Sequence, residues 1–197
     1  VNHWKQFLSL LKQCKEEIEI EKKEKFINIT GKQAQYSFIE MEVEEFPKFP
    51  KFTSDITFRI KGELLKEGLK KIIFCIDPEE PRHQFRGGLI DIKEKVINIV
   101  GTDTRRLSLV SLFPQDQFKK QLKVLLSYNL IKKLINILND QEVEISIGKN
   151  NISFQTTFTK TLEKNIKVTG TILLISQLMV GADEFPDYEK VIPDIKK

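Results

Sequence analysis

The sequence has 197 residues, of which 40% are hydrophobic and 30% are charged, and its formal net charge is +4. This composition is typical of a globular protein and excludes a disordered or collagen-like chain. No apolar run approaches the ~18 residues of a membrane span, the first residues lack a signal-peptide pattern, and the two cysteines fit neither a disulfide framework nor a zinc site. These features predict a protein of a reducing compartment, and we expect neither a membrane partner nor a cofactor. Because the sequence starts without methionine, we also expect a piece of a longer protein.

The N-terminal part of the chain predicts one helix and three strands. Apolar side chains recur every three or four positions in residues 3–14, which indicates a helix. Residues 18–22 and 26–30 alternate apolar and polar side chains around a charged turn, and residues 35–43 form a third strand of this kind. The prolines of the following segment, residues 46–50, end the strand.

The middle of the chain predicts a strand, a helix and three further strands. Residues 56–62 have the pattern of an edge strand, and residues 63–76 begin as a helix. The inward face of this helix carries Leu65, Leu69 and Ile72. Lys66 and Lys70 lie on another face, and Gly68 indicates a close approach of the backbone. An antiparallel meander is predicted to follow, with strands at 84–94, 95–103 and 106–113.

The C-terminal part repeats the order of a helix followed by strands. Residues 127–140 form a helix with apolar side chains on one side, and strands follow at 143–148, 151–156 and 172–180. Residues 157–171 predict an extended hairpin or a loop. The first and last strand groups each end in Phe-Pro-x-aromatic, at residues 46–49 and 185–188. This repetition predicts an α+β protein built from duplicated strand–helix–three-strand units.

A run without acidic residues extends from Gln117 to Leu138 and contains Lys119, Lys120, Lys123, Lys132 and Lys133. Lysine clusters usually form a solvated face, but such a run can also form a positive strip that faces a polyanion. The net charge of +4 is too small to decide between these two interpretations.

Three patches of the chain resemble a known family, the bacterial sliding clamp, which is the beta subunit of DNA polymerase III. The patches are RHQFRGGL at residues 82–89, VGTDTRRL at residues 100–107 and FPDYEKVIP at residues 185–193. They are similar to the clamp's R-x-x-L/F-x-G strand, its A-T-D-G/S-H/R-R-L signature and its F-P-D-Y-x-x-V-[IL]-P segment, in the same order. The resemblance covers essentially the whole chain.

The resemblance implies a DNA-clamp fold, with antiparallel sheets outside and helices on the DNA side. It assigns residues 1–51 to the C-terminal half of a first clamp domain, residues 52–193 to a complete second domain, and residues 194–197 to the start of a third domain that is otherwise missing. Such a piece is not expected to close a ring by itself.

The function implied by the resemblance is non-catalytic. A homodimeric ring encircles double-stranded DNA without sequence preference and tethers the replicative polymerase for processive synthesis. The polymerase and the clamp loader are expected to dock Q-L-x-L-F-type peptides into a hydrophobic pocket. The implied location is the bacterial cytoplasm, in association with the nucleoid.

The resemblance also assigns two sets of site residues. Cations and polar groups suit sequence-independent phosphate contacts, and those expected to face DNA are Lys5, Lys12, Lys66, Lys70, Arg82, His83, Gln84, Lys132 and Lys133. The residues expected to form the partner-peptide pocket are Phe85, Thr102, Arg105, Arg106, Leu107, Pro186, Lys190 and Val191. Phe85 and Leu107 are about equally consistent with ordinary strand core.

One position departs from the family signature. Thr104 stands where the clamp has glycine or serine. Because β-branched residues disfavour positive φ, we expect the local turn geometry to differ.

Two other functional classes stay open at the level of sequence. An enzyme needs a nucleophile with a base or clustered metal ligands, but the chain has only two histidines and no P-loop, CxxC or G-x-S-x-G motif. A carboxylate-metal nuclease or transferase stays open, with Asp91 and Asp103 as an example of its ligands, although an Asx-type turn or an arginine pair explains Asp103 better. A protein-interaction module without DNA would explain the repeat and leave the helix lysines as coincidence.

Overall fold

The computed structural model describes residues 5, 7–9, 11, 17–31, 35–39, 48, 53–114, 117–161 and 167–192. The chain divides into two compact units, residues 1–49 and residues 50–197. Within the described ranges, no helix has both the length and the apolar character that a membrane crossing requires.

The first unit contains a three-stranded antiparallel sheet in the order β1-β2-β3. Its strands, close to the predicted ranges, are β1 (Glu19–Lys23), β2 (Phe26–Thr30) and β3 (Gln35–Ile39). Residues 5, 7–9 and 11 are helical, as the apolar spacing predicts. The ring of Phe7 lies 6.0 Å from that of Phe38, so this helical segment packs on the sheet. The predicted extension of the third strand over residues 40–43 lies outside the described residues.

The second unit contains two four-stranded sheets with antiparallel pairing throughout. Their strands are β4 (Ser54–Lys61), β5 (Gly87–Ile92), β6 (Ile97–Thr102), β7 (Leu107–Leu112), β8 (Leu122–Ser127), β9 (Glu142–Gly148), β10 (Asn151–Thr161) and β11 (Lys167–Gln177). One sheet has the order β11-β10-β9-β4 and the other has the order β7-β6-β5-β8. The predicted edge position of β4 and the predicted β5–β7 meander are both confirmed.

Two helices follow directly on two of the strands. Helix α1 (Gly62–Ile73) follows β4, and helix α2 (Tyr128–Ile137) follows β8. The second unit therefore contains the order strand, helix and three strands twice, which confirms the predicted repeat. Each sheet takes three strands from one copy and the first strand from the other copy. This exchange ties the two copies into a single fold.

Strand β8 is the element that the sequence analysis missed. Val124, Leu125 and Leu126 are consecutive buried residues, because both faces of this strand are covered. A strand buried on both faces lacks the alternation that reveals a half-exposed strand.

Several predicted strand boundaries also change. A short 3-10 helix, His83–Phe85, precedes β5, so the strand predicted from residue 84 begins later. The strand predicted at 172–180 ends at Gln177. Of the alternatives for residues 157–171, the hairpin is correct, because β10 and β11 pair from Asn151↔Gln177 to Thr161↔Lys167.

The main hydrophobic core lies where the helices pack on the sheets. Leu65, Leu69 and Ile72 of α1 are at most 2% exposed, which confirms the predicted inward face. Gly68 of the same helix faces β6, where an added Cβ would lie 3.1 Å from Ile99. A second apolar cluster covers the opposite face of the β7-β6-β5-β8 sheet and consists of Leu89, Val100, Leu125, Phe185 and Tyr188. The sheet is thus covered on both faces, and every residue of β5 and β6 is buried.

Candidate functional site

The exposed face of helix α2 carries positive charge without internal compensation. Its exposed residues are Asn129, Lys132, Lys133 and Asn136. Leu130, Ile131 and Leu134 bury the opposite face, and the Ser127 hydroxyl caps the helix by accepting a hydrogen bond from the Leu130 N–H at 3.3 Å. Within the described part of the chain, neither lysine of α2 has a hydrogen bond or an ion pair. Both ammonium groups are therefore available to an external anion.

The lysines of helix α1 are engaged within the protein. Lys66 is half-buried, and its Nζ donates a hydrogen bond of 2.9 Å to the carbonyl of Leu138, at the end of α2. Lys70 is exposed, but its Nζ lies 2.7 Å from Glu67 Oε1. The hydrogen bond from Lys70 lowers the pKa of Glu67, so both charges persist and offset each other. Lysines at similar places on the two helices thus differ in the charge they offer.

The remaining residues of the predicted DNA set have varied surroundings. Arg82 donates to Glu80 at 2.7 Å and lies 4.6 Å above the ring of Phe85. His83 is exposed and Gln84 is half-buried in the 3-10 helix that follows. In the first unit, Lys5 is exposed, whereas Lys12 lies outside the described residues.

The β6–β7 turn, residues 103–106, is held by short hydrogen bonds from its own side chains. Buried Thr102 donates from Oγ1 to the carbonyl of Arg106 at 2.6 Å and accepts from the N–H of Thr104 at 3.0 Å. Asp103 Oδ1 accepts from the N–H groups of Arg105 and Arg106. Its Oδ2 accepts from the Arg106 guanidinium at 3.0 and 2.8 Å. The structural explanation predicted for Asp103 is confirmed.

Two properties of this turn follow from that arrangement. The hydrogen bond from the Arg106 N–H, followed by that from its side chain, lowers the pKa of Asp103 to about 2. Thr104 has a φ of 71°, in the left-handed region that β-branched residues disfavour. The expected difference in turn geometry from the family stays a prediction. In this chain, the surrounding hydrogen bonds hold Thr104 in a positive φ.

The FPDY segment, residues 185–192, packs on the face of the β7-β6-β5-β8 sheet that carries the second apolar cluster. Phe185 and Tyr188 are buried in the second apolar cluster, and half-buried Leu107 packs against that cluster. The predicted pocket residues of this segment are exposed: Pro186, Lys190 and Val191. Val191 is 65% exposed, which is high for an apolar side chain. The structure thus brings Leu107 and the FPDY segment to one cluster.

Phe85 lies in the core, which is one of the two places expected for it. Its side chain is only 4% exposed, and its ring centroid lies 6.2 Å from that of Phe185. It therefore supports the segment from within, as ordinary core does, and does not form an open pocket wall in this structure.

A polar network beneath the segment escaped the sequence analysis. The Tyr188 hydroxyl donates to Asp91 Oδ2 at 2.7 Å and accepts from Asn98 Nδ2 at 2.9 Å. Ser111 Oγ donates to Asn98 Oδ1 at 2.7 Å. Asp91 and Asn98 each stand between two isoleucines of a buried strand. A single polar residue within a buried strand needs a hydrogen-bond partner. The polar residue in each of these two strands could therefore have predicted the network from the sequence.

The same network excludes Asp91 with Asp103 as a carboxylate-metal pair. Asp91 is 3% exposed and already bonded to Tyr188. Asn98 is its partner in the sheet register, and Asp103 lies five residues beyond Asn98, roughly 16 Å along the strand. Asp91 and Asp103 therefore cannot share a metal ion. In the described part of the chain, no cluster of His, Cys, Asp or Glu is suited to hold one.

Comparison with known proteins gives a consistent result. Residues 59–168 match the family described as "DNA polymerase III beta subunit, central domain". The beta sliding clamp of Chlamydia pneumoniae is 27% identical over 191 residues, which cover 95% of this chain and 48% of that protein. The beta sliding clamp of Buchnera aphidicola is 26% identical, over 93% of this chain and 46% of that protein. The chain spans about half the length of the curated relatives it matches.

Solved structures share the fold. A DNA polymerase sliding clamp from Pseudomonas aeruginosa superposes with a TM-score of 0.78 at 22% identity, covering 97% of this chain and 49% of that one. A sliding clamp from the same organism bound to griselimycin gives a TM-score of 0.80 at 22% identity, covering 96% of this chain and 48% of that one. These similarities confirm the α+β clamp fold. Since the family match covers more than half of the chain, the chain belongs to the DNA polymerase III beta subunit family.

Proposed function

We propose that this chain is part of a sliding clamp that encircles duplex DNA and tethers a replicative polymerase. The observation that carries the proposal is the family match over residues 59–168 within a clamp fold. A tether of this kind performs no chemistry. In the described part of the chain, the absence of a metal-ligand cluster is compatible with that role but does not test it.

The DNA contact is proposed for the exposed face of α2. A sliding contact needs cations that exchange phosphates without reading bases, and Lys132 and Lys133 have this property because no internal partner restrains them. Lys66, Lys70 and Arg82 stay in the proposed set with a smaller share, since each has a partner within the protein. His83, Gln84 and Lys5 are proposed as peripheral contacts.

The partner peptide is proposed to dock beside the β6–β7 turn and the FPDY segment. Leu107 and exposed Val191 provide apolar surface for peptide side chains, while Arg105, Arg106 and Lys190 provide polar and aliphatic rim. Thr102 and Pro186 complete the proposed surface, Thr102 by holding the turn. Phe85 contributes from beneath, through Phe185.

The assembly is a further part of the proposal. The implied partners are the replicative polymerase and the clamp loader, and the implied assembly is a ring of two subunits in the bacterial cytoplasm, close to nucleoid DNA. The griselimycin complex of the Pseudomonas aeruginosa clamp provides a second ligand for testing the docking surface.

A titration of the 197-residue chain with the peptide QLSLF, followed by two-dimensional amide NMR, tests the docking proposal. We expect saturable shifts at residues 102–107 and 186–191, at millimolar or lower peptide concentration, and their loss in Leu107→Asp. The matched control is Leu173→Asp, at an exposed leucine of β11, which should bind like the wild type. Shifts centred elsewhere, or none in the folded protein, would contradict the docking surface and favour an interaction module of another kind.

A further inference from the structure

The FPDY segment has little regular structure of its own. Its only helical element is the single 3-10 turn Tyr188–Lys190. In that turn the N–H groups of Lys190 and Val191 bond to the carbonyls of Asp187 and Tyr188, both at 3.2 Å. So short an element cannot fix its own conformation, because too few hydrogen bonds offset the entropy of ordering it. Its conformation must be set by what lies beneath it.

Three strands contribute side chains beneath this turn. Asp91 comes from β5, Asn98 from β6 and Ser111 from β7, and they form one chain of hydrogen bonds that ends at the Tyr188 hydroxyl. Lys93, just after β5, forms an ion pair with Glu189 and lies 4.0 Å from Asp91. The turn is therefore fastened at two consecutive residues.

Apolar packing and hydrogen bonds beneath the segment have different effects on it. Phe185 and Tyr188 pack in an apolar cluster with Leu89, Val100 and Leu125, and such contacts hold the segment down without fixing its direction. Hydrogen bonds require alignment of donor and acceptor, so the Tyr188 hydroxyl fixes where the ring and its backbone lie. Burial, followed by the bond to Asp91, raises the pKa of this hydroxyl, which therefore stays protonated and remains a donor.

We propose that Tyr188 is a positioning residue for the peptide-docking surface, through its hydrogen bonds to Asp91 and Asn98. This inference rests on the proposed function. The residues offered to the peptide, Pro186, Lys190 and Val191, flank Tyr188 and are exposed. The ion pair of Lys190 is with Asp187 and stays inside the segment, so the anchor between these residues sets where they lie. The network thus fastens the exposed rim to three paired strands, β5, β6 and β7.

Tyr188→Phe tests the proposal because it keeps the ring in the apolar cluster and removes only the hydroxyl. We expect a folded protein in which amide exchange at residues 189–191 is about tenfold faster and the dissociation constant for QLSLF is roughly five- to tenfold higher. Tyr128→Phe in α2 is the matched control and should change neither quantity. Ser111→Ala removes the last link of the network and should act in the same direction with a smaller effect, which provides a test if Tyr188→Phe does not fold.

A double variant separates positioning from stability. Tyr188→Phe leaves the buried Asp91 carboxylate without its nearest partner, which is destabilising. Tyr188→Phe/Asp91→Leu removes the unpaired carboxylate and should recover part of the lost stability in denaturant unfolding, since Asn98 Nδ2 still lacks its acceptor. Peptide affinity and amide protection of residues 189–191 should stay impaired. Recovery of both together with stability would overturn the positioning role.

The exchange measurement also separates this inference from the proposed function. If the wild-type chain does not bind QLSLF, the docking proposal fails. Faster exchange at residues 189–191 in Tyr188→Phe would still support the anchoring of the segment. Unchanged exchange in that variant would overturn the inference even if the peptide binds.

Discussion

The exposed face of α2 and the β6–β7 turn carry the two proposed contacts of this protein, and they are built in opposite ways. On α2, Lys132 and Lys133 extend from a helix whose other face is buried, and no described contact restrains them. In the turn, Thr102 and Asp103 bond to backbone groups at 2.6 to 3.0 Å. One region offers unrestrained charge and the other offers fixed geometry.

This difference matches what each ligand requires. Attraction to phosphates is long-ranged and depends on the number of available charges more than on their exact placement. A peptide pocket loses affinity when its walls move, because apolar anchors must fit closely. We therefore expect binding by α2 to be sensitive to salt and charge, and binding by the turn to be sensitive to single hydrogen bonds.

The largest expected effect comes from removing the charge of α2. Lys132→Gln/Lys133→Gln keeps side-chain length and should weaken binding to a short DNA duplex roughly thirtyfold at about 50 mM salt. It should also reduce the slope of log affinity against log salt by about 1.8, which is about 0.9 for each phosphate contact. Fluorescence anisotropy at several salt concentrations measures both quantities.

The matched control on α1 is Lys66→Gln/Lys70→Gln. Lys66 bonds to the Leu138 carbonyl and Lys70 pairs with Glu67. In this double variant, the slope of log DNA affinity against log salt should therefore change by less than about 0.9. Equal losses in the two double variants would end the distinction between the helices.

A single hydrogen-bonding group should have the next largest effect, this time in the turn. Thr102→Val keeps the shape of a buried side chain but leaves the Thr104 N–H and the Arg106 carbonyl without that partner. We expect a loss of about 1 to 1.5 kcal/mol in the free energy of unfolding, with weaker QLSLF binding and an unchanged DNA salt slope. Thr171→Val, at an exposed position of β11, should be nearly neutral in urea unfolding. A changed salt slope in Thr102→Val would argue that the two regions are coupled.

Replacing the strained residue of the β6–β7 turn, Thr104, should increase stability. Thr104 has a φ of 71°, which glycine adopts without steric cost. Thr104→Gly should therefore raise the free energy of unfolding by about 0.5 to 1 kcal/mol, since relief of strain exceeds the added chain entropy. Thr104→Ala keeps a Cβ and should gain less. A loss of stability in Thr104→Gly would mean that contacts of the threonine side chain outweigh the strain.

Local patterns predicted most of the fold. Both helices and the repeat follow from the spacing of apolar residues. Strands β5 and β6 of the meander are buried throughout, but they follow from the polar residue, Asp91 or Asn98, that interrupts each apolar run. Strand β8 did not, because Val124, Leu125 and Leu126 are buried in succession and give no alternation. The family resemblance, which the comparisons confirm, identified the turn and the FPDY segment.

The features of the candidate site that could not be predicted from the sequence are contacts between residues far apart in the chain. Tyr188 and Asp91 are 97 residues apart in the chain, so no local pattern connects them. The bond from Lys66 to the Leu138 carbonyl spans 72 residues and is equally hidden. The assignment of DNA-facing and pocket residues itself stays a prediction, which the variants above are designed to test.

The smallest expected effect concerns Lys70 of α1, whose ion pair can be predicted from the sequence. Glu67 precedes Lys70 by three residues on α1, a spacing at which helical side chains meet, and the two lie 2.7 Å apart. Glu67→Gln removes the opposing charge and leaves Lys70 available, so α1 should come to resemble α2. DNA affinity should rise about twofold at low salt and the salt slope should increase by up to about 0.9. Glu63→Gln, at an exposed acidic residue in the first turn of α1, controls for net charge alone. If both variants raise affinity equally, total charge controls the binding. If only Glu67→Gln does, the availability of individual ammonium groups distinguishes the two helices.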